Sequence, residues 1–253
     1  MSSAGRSVAL TFDGAWGQCG SSEILDILHQ AKLQVTVFLT GQFIRRYPDM
    51  VCRMVEEGHE IGNHTDTHPY LTSKKGGPTR DGITRAILHQ ELRQAERAFQ
   101  QVTGRRMSPL WRAPYGHYNA EVLGYAFKRG YRHVYWTLDT KDWVPDPTAA
   151  KYQTARQIRD LVLHRVMDGD IVLMHLHSLR PVDRPWEALP ELITELRRKP
   201  FELVTVSELF ARQAQGLAIP PPWRRKARRW HILLAEERRK LLHSLRRWGR
   251  SPR

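Results

Sequence analysis

Short apolar or β-branched runs alternate with helical patterns along most of this chain, and no other feature narrows the possible fold so far. The runs occupy residues 8–12, 35–39, 60–63, 110–112, 133–138, 171–175 and 202–204. Helix punctuation falls between them. Ser21 or Ser22 is placed to cap a helix burying Ile24, Ile27 and Leu28, and Pro48 suits a first turn of a helix that stops at Gly58. Leu88, Leu92, Ala95, Phe99 and Val102 keep helical spacing up to Gly104. Seven strands separated by helices predict a parallel sheet with right-handed crossovers, so all strand carboxyl ends share one rim. In α/β folds that rim is where chemistry is placed.

With 253 residues and 41% hydrophobic content, the chain suffices for one large core. Cys19 and Cys52 are its only cysteines, too few for a disulfide scaffold and not in a metal-binding or redox pair. No leader pattern opens the sequence as written and no apolar run approaches a membrane span, which suits a cytoplasmic or membrane-peripheral protein, while the two unpaired cysteines leave oxidising and reducing compartments equally open. Its net charge of +14 is uneven: residues 213–253 carry 12 Lys and Arg against Glu236 and Glu237, a local +10.

Pro220-Pro221-Pro222 sets this tail apart, giving an expected main α/β domain over residues 1–212 and a basic tail over residues 213–253. In the tail, Trp230, Leu233, Leu234, Leu241, Leu245 and Trp248 recur at helical spacing among arginines. A basic amphipathic helix of this kind suits an anionic membrane or cell-wall polymer through residues 223–250. A helix packed on the main domain or on a partner subunit is the alternative. No motif that reads nucleic acid accompanies the charge, so no specific nucleic acid is expected.

Residues able to do chemistry cluster at the strand ends. Asp13 closes the first run and is suited to act as a general base. His64-Thr65-Asp66-Thr67-His68 sets two imidazoles four residues apart; on a helical turn they share a face and can chelate a divalent ion. Trp111-Arg112-Ala113-Pro114-Tyr115-Gly116 joins a fixed cation, able to hold Asp13 ionised, to a rigid turn whose amide can stabilise an oxyanion. Asp139-Thr140-Lys141-Asp142-Trp143 offers carboxylates to orient a histidine and an aromatic surface for a sugar ring. The run at residues 171–175 ends in His175, followed by Leu176 and His177; one of the two histidines is expected to face the site, with His175 as general acid and His177 in reserve.

Taken in order, these clusters resemble the polysaccharide deacetylases of carbohydrate esterase family four, which share the NodB homology domain. The matching segments are Thr11-Phe12-Asp13, His64-Thr65 to His68, Arg112 to Gly116, Asp139 to Trp143 and Leu173 to His175, and the likeness extends over about residues 7–212. The resemblance implies a distorted (β/α) barrel with about seven parallel strands, and hydrolysis of an N-acetylated glycan to a free amine and acetate. It implies Asp13 as base, His175 as acid, Arg112 as the residue positioning the base and Asp142 as the carboxylate tuning the acid. It further implies the Tyr115 amide as oxyanion donor, Leu173 and Trp143 as groove residues around the acetyl methyl, and His64 and His68 as ligands of a divalent metal, zinc being the expectation.

One position departs from the family pattern. The family's second aspartate, its usual third metal ligand, is matched by Gly14. Asp13 itself, water, or a residue of the Trp16-Gly17-Gln18-Cys19 loop is left to complete the shell, Asp66 being poorly placed at helical spacing. Two other functions stay open on this ground: a metal-independent amidohydrolase of the same superfamily, and a catalytically impaired glycan-binding or membrane-tethering protein.

Overall fold

The computed structural model describes residues 6–214, and the tail reading over residues 223–250 lies outside them. Among the described residues there are eight strands: β1 (Arg6–Gly14), β2 (Thr36–Leu39), β3 (Glu60–Asn63), β4 (Leu110–Trp111), β5 (Arg132–His133), β6 (Leu138–Asp139), β7 (Ile171–His175) and β8 (Phe201–Leu203). The helices are α1 (Ser21–Gln30), α2 (Gly41–Arg46), α3 (Pro48–Glu56), α4 (Arg85–Thr103), α5 (Ala120–Phe127), α6 (Ala155–Arg165), α7 (Leu189–Arg198) and α8 (Val206–Ala214). All named strand pairs are parallel, in the order β5-β4-β3-β2-β1-β7-β6, with β8 beside the start of β1. This is the expected distorted (β/α) barrel.

The run at residues 133–138, expected as one strand, is two. Its first part pairs with β4 and its last part with β7. Between them the Val134 amide donates to Trp111 O (2.8 Å) and the Thr137 amide to Ile171 O (2.9 Å). The segment therefore crosses from one edge of the sheet to the other and closes the barrel.

Period-two alternation along β1 sorts its side chains into two environments. Val8, Leu10 and Phe12 join the large apolar cluster under the helices, with Leu25, Leu28, Val37, Leu39, Phe43, Leu189 and Leu192. Ala9 lies in a second cluster with Phe38, Leu110, Ile171 and Val204, which fills the barrel interior. Thr11 and Asp13 continue that inner face toward the rim. Burying each large side chain contributes about 1.5–3 kcal/mol, enough collectively to fix which face turns inward.

Local signals act much as their chemistry requires. Pro48 starts α3, and Gly58 with φ 82° ends its turn. Thr84 caps α4, and Gly104 closes it at φ 69°. The expected serine cap of α1 is replaced by Gly20, because the Ser21 hydroxyl donates instead to Leu176 O at 2.9 Å, tying α1 to the chain beyond β7.

Candidate active site

Four strand ends meet at the rim. Asp13 and Arg112, 99 residues apart, join as a buried pair: Arg112 Nη1 donates to Asp13 Oδ1 at 2.7 Å, while Nη2 donates to Thr11 Oγ1 at 2.9 Å and Nε to Val134 O at 3.3 Å. The Phe38 ring lies against the guanidinium, 4.2 Å from centroid to Cζ. Burial pulls the Arg112 guanidinium below its ordinary value, and the Asp13 charge acts against that. The other oxygen, Asp13 Oδ2, stands 3.6 Å from His64 Nε2.

His64 is oriented from behind. Its Nδ1 lies 2.9 Å from Arg112 O, and since a carbonyl only accepts, Nδ1 carries the hydrogen and Nε2 presents a lone pair to the site. His68 Nε2 faces it at 3.1 Å. The segment between them is not the expected helical turn: Thr65 and His68 adopt left-handed backbone, φ 68° and 59°. Asn63 and Glu91 hold this conformation, Asn63 Oδ1 accepting from the Thr65 amide (2.8 Å) and Glu91 Oε2 from the amides of Asp66 (2.9 Å) and Thr67 (2.8 Å). Asp66 is committed to Arg45 at 2.7 and 3.1 Å. Neither Asn63 nor Glu91 belongs to the expected set; a buried asparagine ending an apolar strand is the only signal that pointed toward either.

Burial, followed by the charges of His64 and His175, lowers the His68 imidazole to about 2; burial also lowers His64, against the attraction of Asp13. Both rings are thus neutral near pH 7, the form that binds metals. Bonds of about 2.0–2.1 Å to one tetrahedral ion set two nitrogens roughly 3.3 Å apart, close to the spacing of this pair. The pair therefore fits a divalent cation as two ligands. A third protein ligand is another matter: among the described residues no group of three His, Cys, Asp or Glu side chains is arranged to hold a metal. Position 14 lies on the outer face of β1, where a Cβ on Gly14 would meet Leu39 Cδ2 at 2.8 Å and Leu176 Cδ1 at 3.0 Å. Its surroundings are apolar.

The acid candidate stands beside the base candidate, since Asp13 and His175 are register partners across β1 and β7. Asp142, 2% exposed, accepts from His175 Nδ1 (2.8 Å) through one oxygen and from the His175 amide (2.7 Å) through the other. Burial lowers the His175 imidazole, but the charge and hydrogen bond of Asp142, aided by Asp13 and Asp139, leave it above its ordinary value. A raised imidazole suits a proton donor. Leu173, two residues earlier on the same face, is buried below it. His177, the reserve, is used elsewhere: β7 ends at His175, and His177 Nδ1 accepts from the Cys19 amide at 3.1 Å, its ring filling the space a side chain on Gly17 would need.

Aromatic rings edge the rim. Tyr115, left-handed at φ 58° within the turn Pro114–Gly116, packs edge-on against His68 (4.4 Å) and stacks on Tyr70 (3.8 Å). Trp16 abuts the other side of His68 at 4.6 Å. Trp143, on the turn bearing Asp142, is 47% exposed. The rim thus brings together a carboxylate held by a buried cation, a histidine held by a buried carboxylate, two neutral imidazoles 3.1 Å apart and a partly exposed aromatic border.

Comparison with known proteins identifies the class. The family described as polysaccharide deacetylase matches residues 2–134, and the chain belongs to this family of hydrolases, carbohydrate esterase family four. A chitooligosaccharide deacetylase from Bradyrhizobium sp. (strain ANU 289) is 31% identical to it over 214 residues, covering 81% of this chain and 90% of that protein. A solved T48 deacetylase with substrate aligns with a TM-score of 0.66 and 30% identity, covering 82% of this chain and 92% of that one. A CE4 family pseudoenzyme from Bacillus anthracis aligns with a TM-score of 0.69 and 26% identity, covering 82% of this chain and 66% of that one. A mutant of that pseudoenzyme is described as having restored enzymatic activity.

Proposed function

We propose that the protein removes N-acetyl groups from a glycan of chitooligosaccharide or peptidoglycan type, releasing acetate. Asp13, ionised and aimed by Arg112, takes a proton from the attacking water, whose oxygen bonds to the acetyl carbon. The backbone N–H of Tyr115 receives the developing oxyanion. As the carbon–nitrogen bond breaks, His175, held by Asp142, delivers its proton to the departing amine. Trp143 and Leu173 border the groove that takes the acetyl methyl.

In this reading His64 and His68 would hold a divalent cation, zinc by donor type, which would supply Lewis acidity when bound. The single observation that carries the reading is the pairing of an Arg112-held Asp13 with an Asp142-held His175 on adjacent strands. Acetate release from chitooligosaccharides and from peptidoglycan fragments tests it. Asp13→Asn and His175→Ala are each expected to abolish release while the fold persists; wild-type rates in either variant overturn the assignment.

Gly14 supports a second reading, a glycan-binding protein with impaired catalysis, because the outer face of β1 offers no third ligand there. Calorimetric titration of zinc separates the two: submicromolar binding abolished by His64→Ala favours the enzyme, and its absence together with glycan binding favours the second reading. Acetate release that persists after complete metal removal points instead to a metal-independent amidohydrolase. For the basic segment at residues 223–250 we propose contact with an anionic membrane or wall polymer, tested by sedimentation with anionic liposomes before and after deletion of residues 215–253.

A further inference from the structure

The turn that carries Asp142 and Trp143 is braced from behind by Arg180, in the loop that follows β7. Arg180 is 3% exposed and spends its guanidinium on three backbone carbonyls: Nε on Val144 O (2.9 Å), Nη2 on Lys141 O (3.3 Å) and Nη1 on Gln153 O (2.7 Å). Lys141 and Val144 are the two ends of the turn, joined by their own hydrogen bond of 3.1 Å, and Asp142 and Trp143 lie between them. Lys141 has left-handed backbone, φ 60°. A non-glycine residue there costs about 1–3 kcal/mol and persists only where its surroundings over-determine it. Asp139 fixes Lys141 from one side through its amide (2.9 Å) and ammonium (2.5 Å), and Arg180 fixes its carbonyl from the other.

The same loop is latched a second time. Asp183 accepts from the Tyr152 hydroxyl at 2.7 Å and from the Ala155 amide at the start of α6 at 2.8 Å, and the Tyr152 ring lies 4.1 Å from Arg180 Cζ. The closest ion-pair contact of Arg180 is with Asp183, at 3.9 Å. Burying a guanidinium costs several kcal/mol, which the Asp183 charge and the three carbonyls offset together. The arrangement makes sense as geometry: a planar fork of donors fixes three carbonyls in a way that neither an apolar side chain nor a point charge reproduces.

We propose that Arg180 is a positioning residue for the reaction, setting the Asp142 carboxylate on His175 and the Trp143 ring on the groove by fixing the turn between them. This rests on the reading of His175 as acid and Asp142 as its orienting group. Displacement of a catalytic group by about 1 Å can lower a rate on the order of 100-fold. Arg180→Lys, which keeps the charge and most of the volume, and Arg180→Ala are to be compared with wild type in acetate release and in the proton NMR signal of His175 Nδ1–H, assigned by its disappearance in His175→Gln.

The expected result is a fall in kcat of about 10- to 100-fold in both variants, with kcat/KM falling at least as far because the Trp143 ring moves with the turn. The downfield Nδ1–H signal shifts or disappears, and added guanidinium ion partly restores both kcat and the signal in Arg180→Ala. Retention of kcat, or loss of kcat with the signal unchanged, overturns the proposal. Should Arg180→Ala not fold, Arg180→Lys decides alone on the same two readings. If wild type releases no acetate, the functional reading fails while the NMR signal still decides whether Arg180 sets the Asp142–His175 contact.

Discussion

Replacing Asp142 with asparagine tests the acid half of the site with almost no change of shape. The carboxylate accepts two hydrogen bonds, from His175 Nδ1 at 2.8 Å and from the His175 amide at 2.7 Å. Asparagine can keep one of them through its single oxygen, and then turns an N–H toward the other donor. Hydrogen bonds to a charged group are worth about 1.5–3 kcal/mol, so losing one from the proposed proton donor is expected to lower kcat by about 10- to 100-fold. The pH profile shifts as well. Burial lowers the His175 imidazole and Asp142 is the first influence that raises it, so removing that charge lets burial prevail. The protonated form is then lost at lower pH, and the alkaline limb of kcat/KM moves acidward. Acetate release followed over roughly pH 5–9 reads both effects. A variant within threefold of wild type, or one whose alkaline limb stays in place or moves upward, refutes the assignment of Asp142.

Arg112→Met leaves Asp13 buried without its cation and is expected to lower the unfolding free energy in urea by about 3–5 kcal/mol, most of which the double variant with Asp13→Leu recovers; additive losses show that the pair does not act as a unit. Gly14→Asp puts a carboxylate against Leu39 and Leu176, so it is expected to destabilise the fold without tightening zinc binding in calorimetry; affinity raised tenfold or more by this change contradicts the outward direction of residue 14. Burial, with the charges of Arg112 and Lys75, lowers the His133 imidazole to about 3 from an ordinary value of 6.5. Below pH 6.5 the unfolded chain therefore takes up a proton there that the folded chain refuses, and stability falls on acidification by up to about 1.4 kcal/mol per pH unit. His133→Phe removes that slope, and its gain over wild type at pH 4.5 is expected to exceed its gain at pH 7 by about 2.5 kcal/mol in urea titrations.

What was legible in the chain was whatever a single strand and its last residues determine. Asp13, His64, Arg112 and His175 each stand at or just after the end of a short strand, and in a parallel barrel that address alone gathers them at one rim. Less legible was anything decided by partners far off in sequence. The 133–138 run divides because its two ends pair with strands separated from each other by most of the sheet. Four-residue spacing of His64 and His68 suggested a helix, but Glu91 and Asn63 occupy the backbone amides that a helix would have used, and the rings converge through left-handed residues instead.

Gly14 belongs between these cases. Matched to the family by motif, it stands where a ligand is expected; taken by the alternation of its own strand, it follows Val8, Leu10 and Phe12 onto the face that packs under the helices. The register of Gly14 with Leu39 keeps β1 regular to its last residue. A carboxylate at this position reaches the barrel only if the strand breaks its period at that residue. The strain or side-chain movement needed for that, against Leu39, Leu176 and Phe43, is what sets whether a carboxylate here could join the proposed ligands His64 and His68.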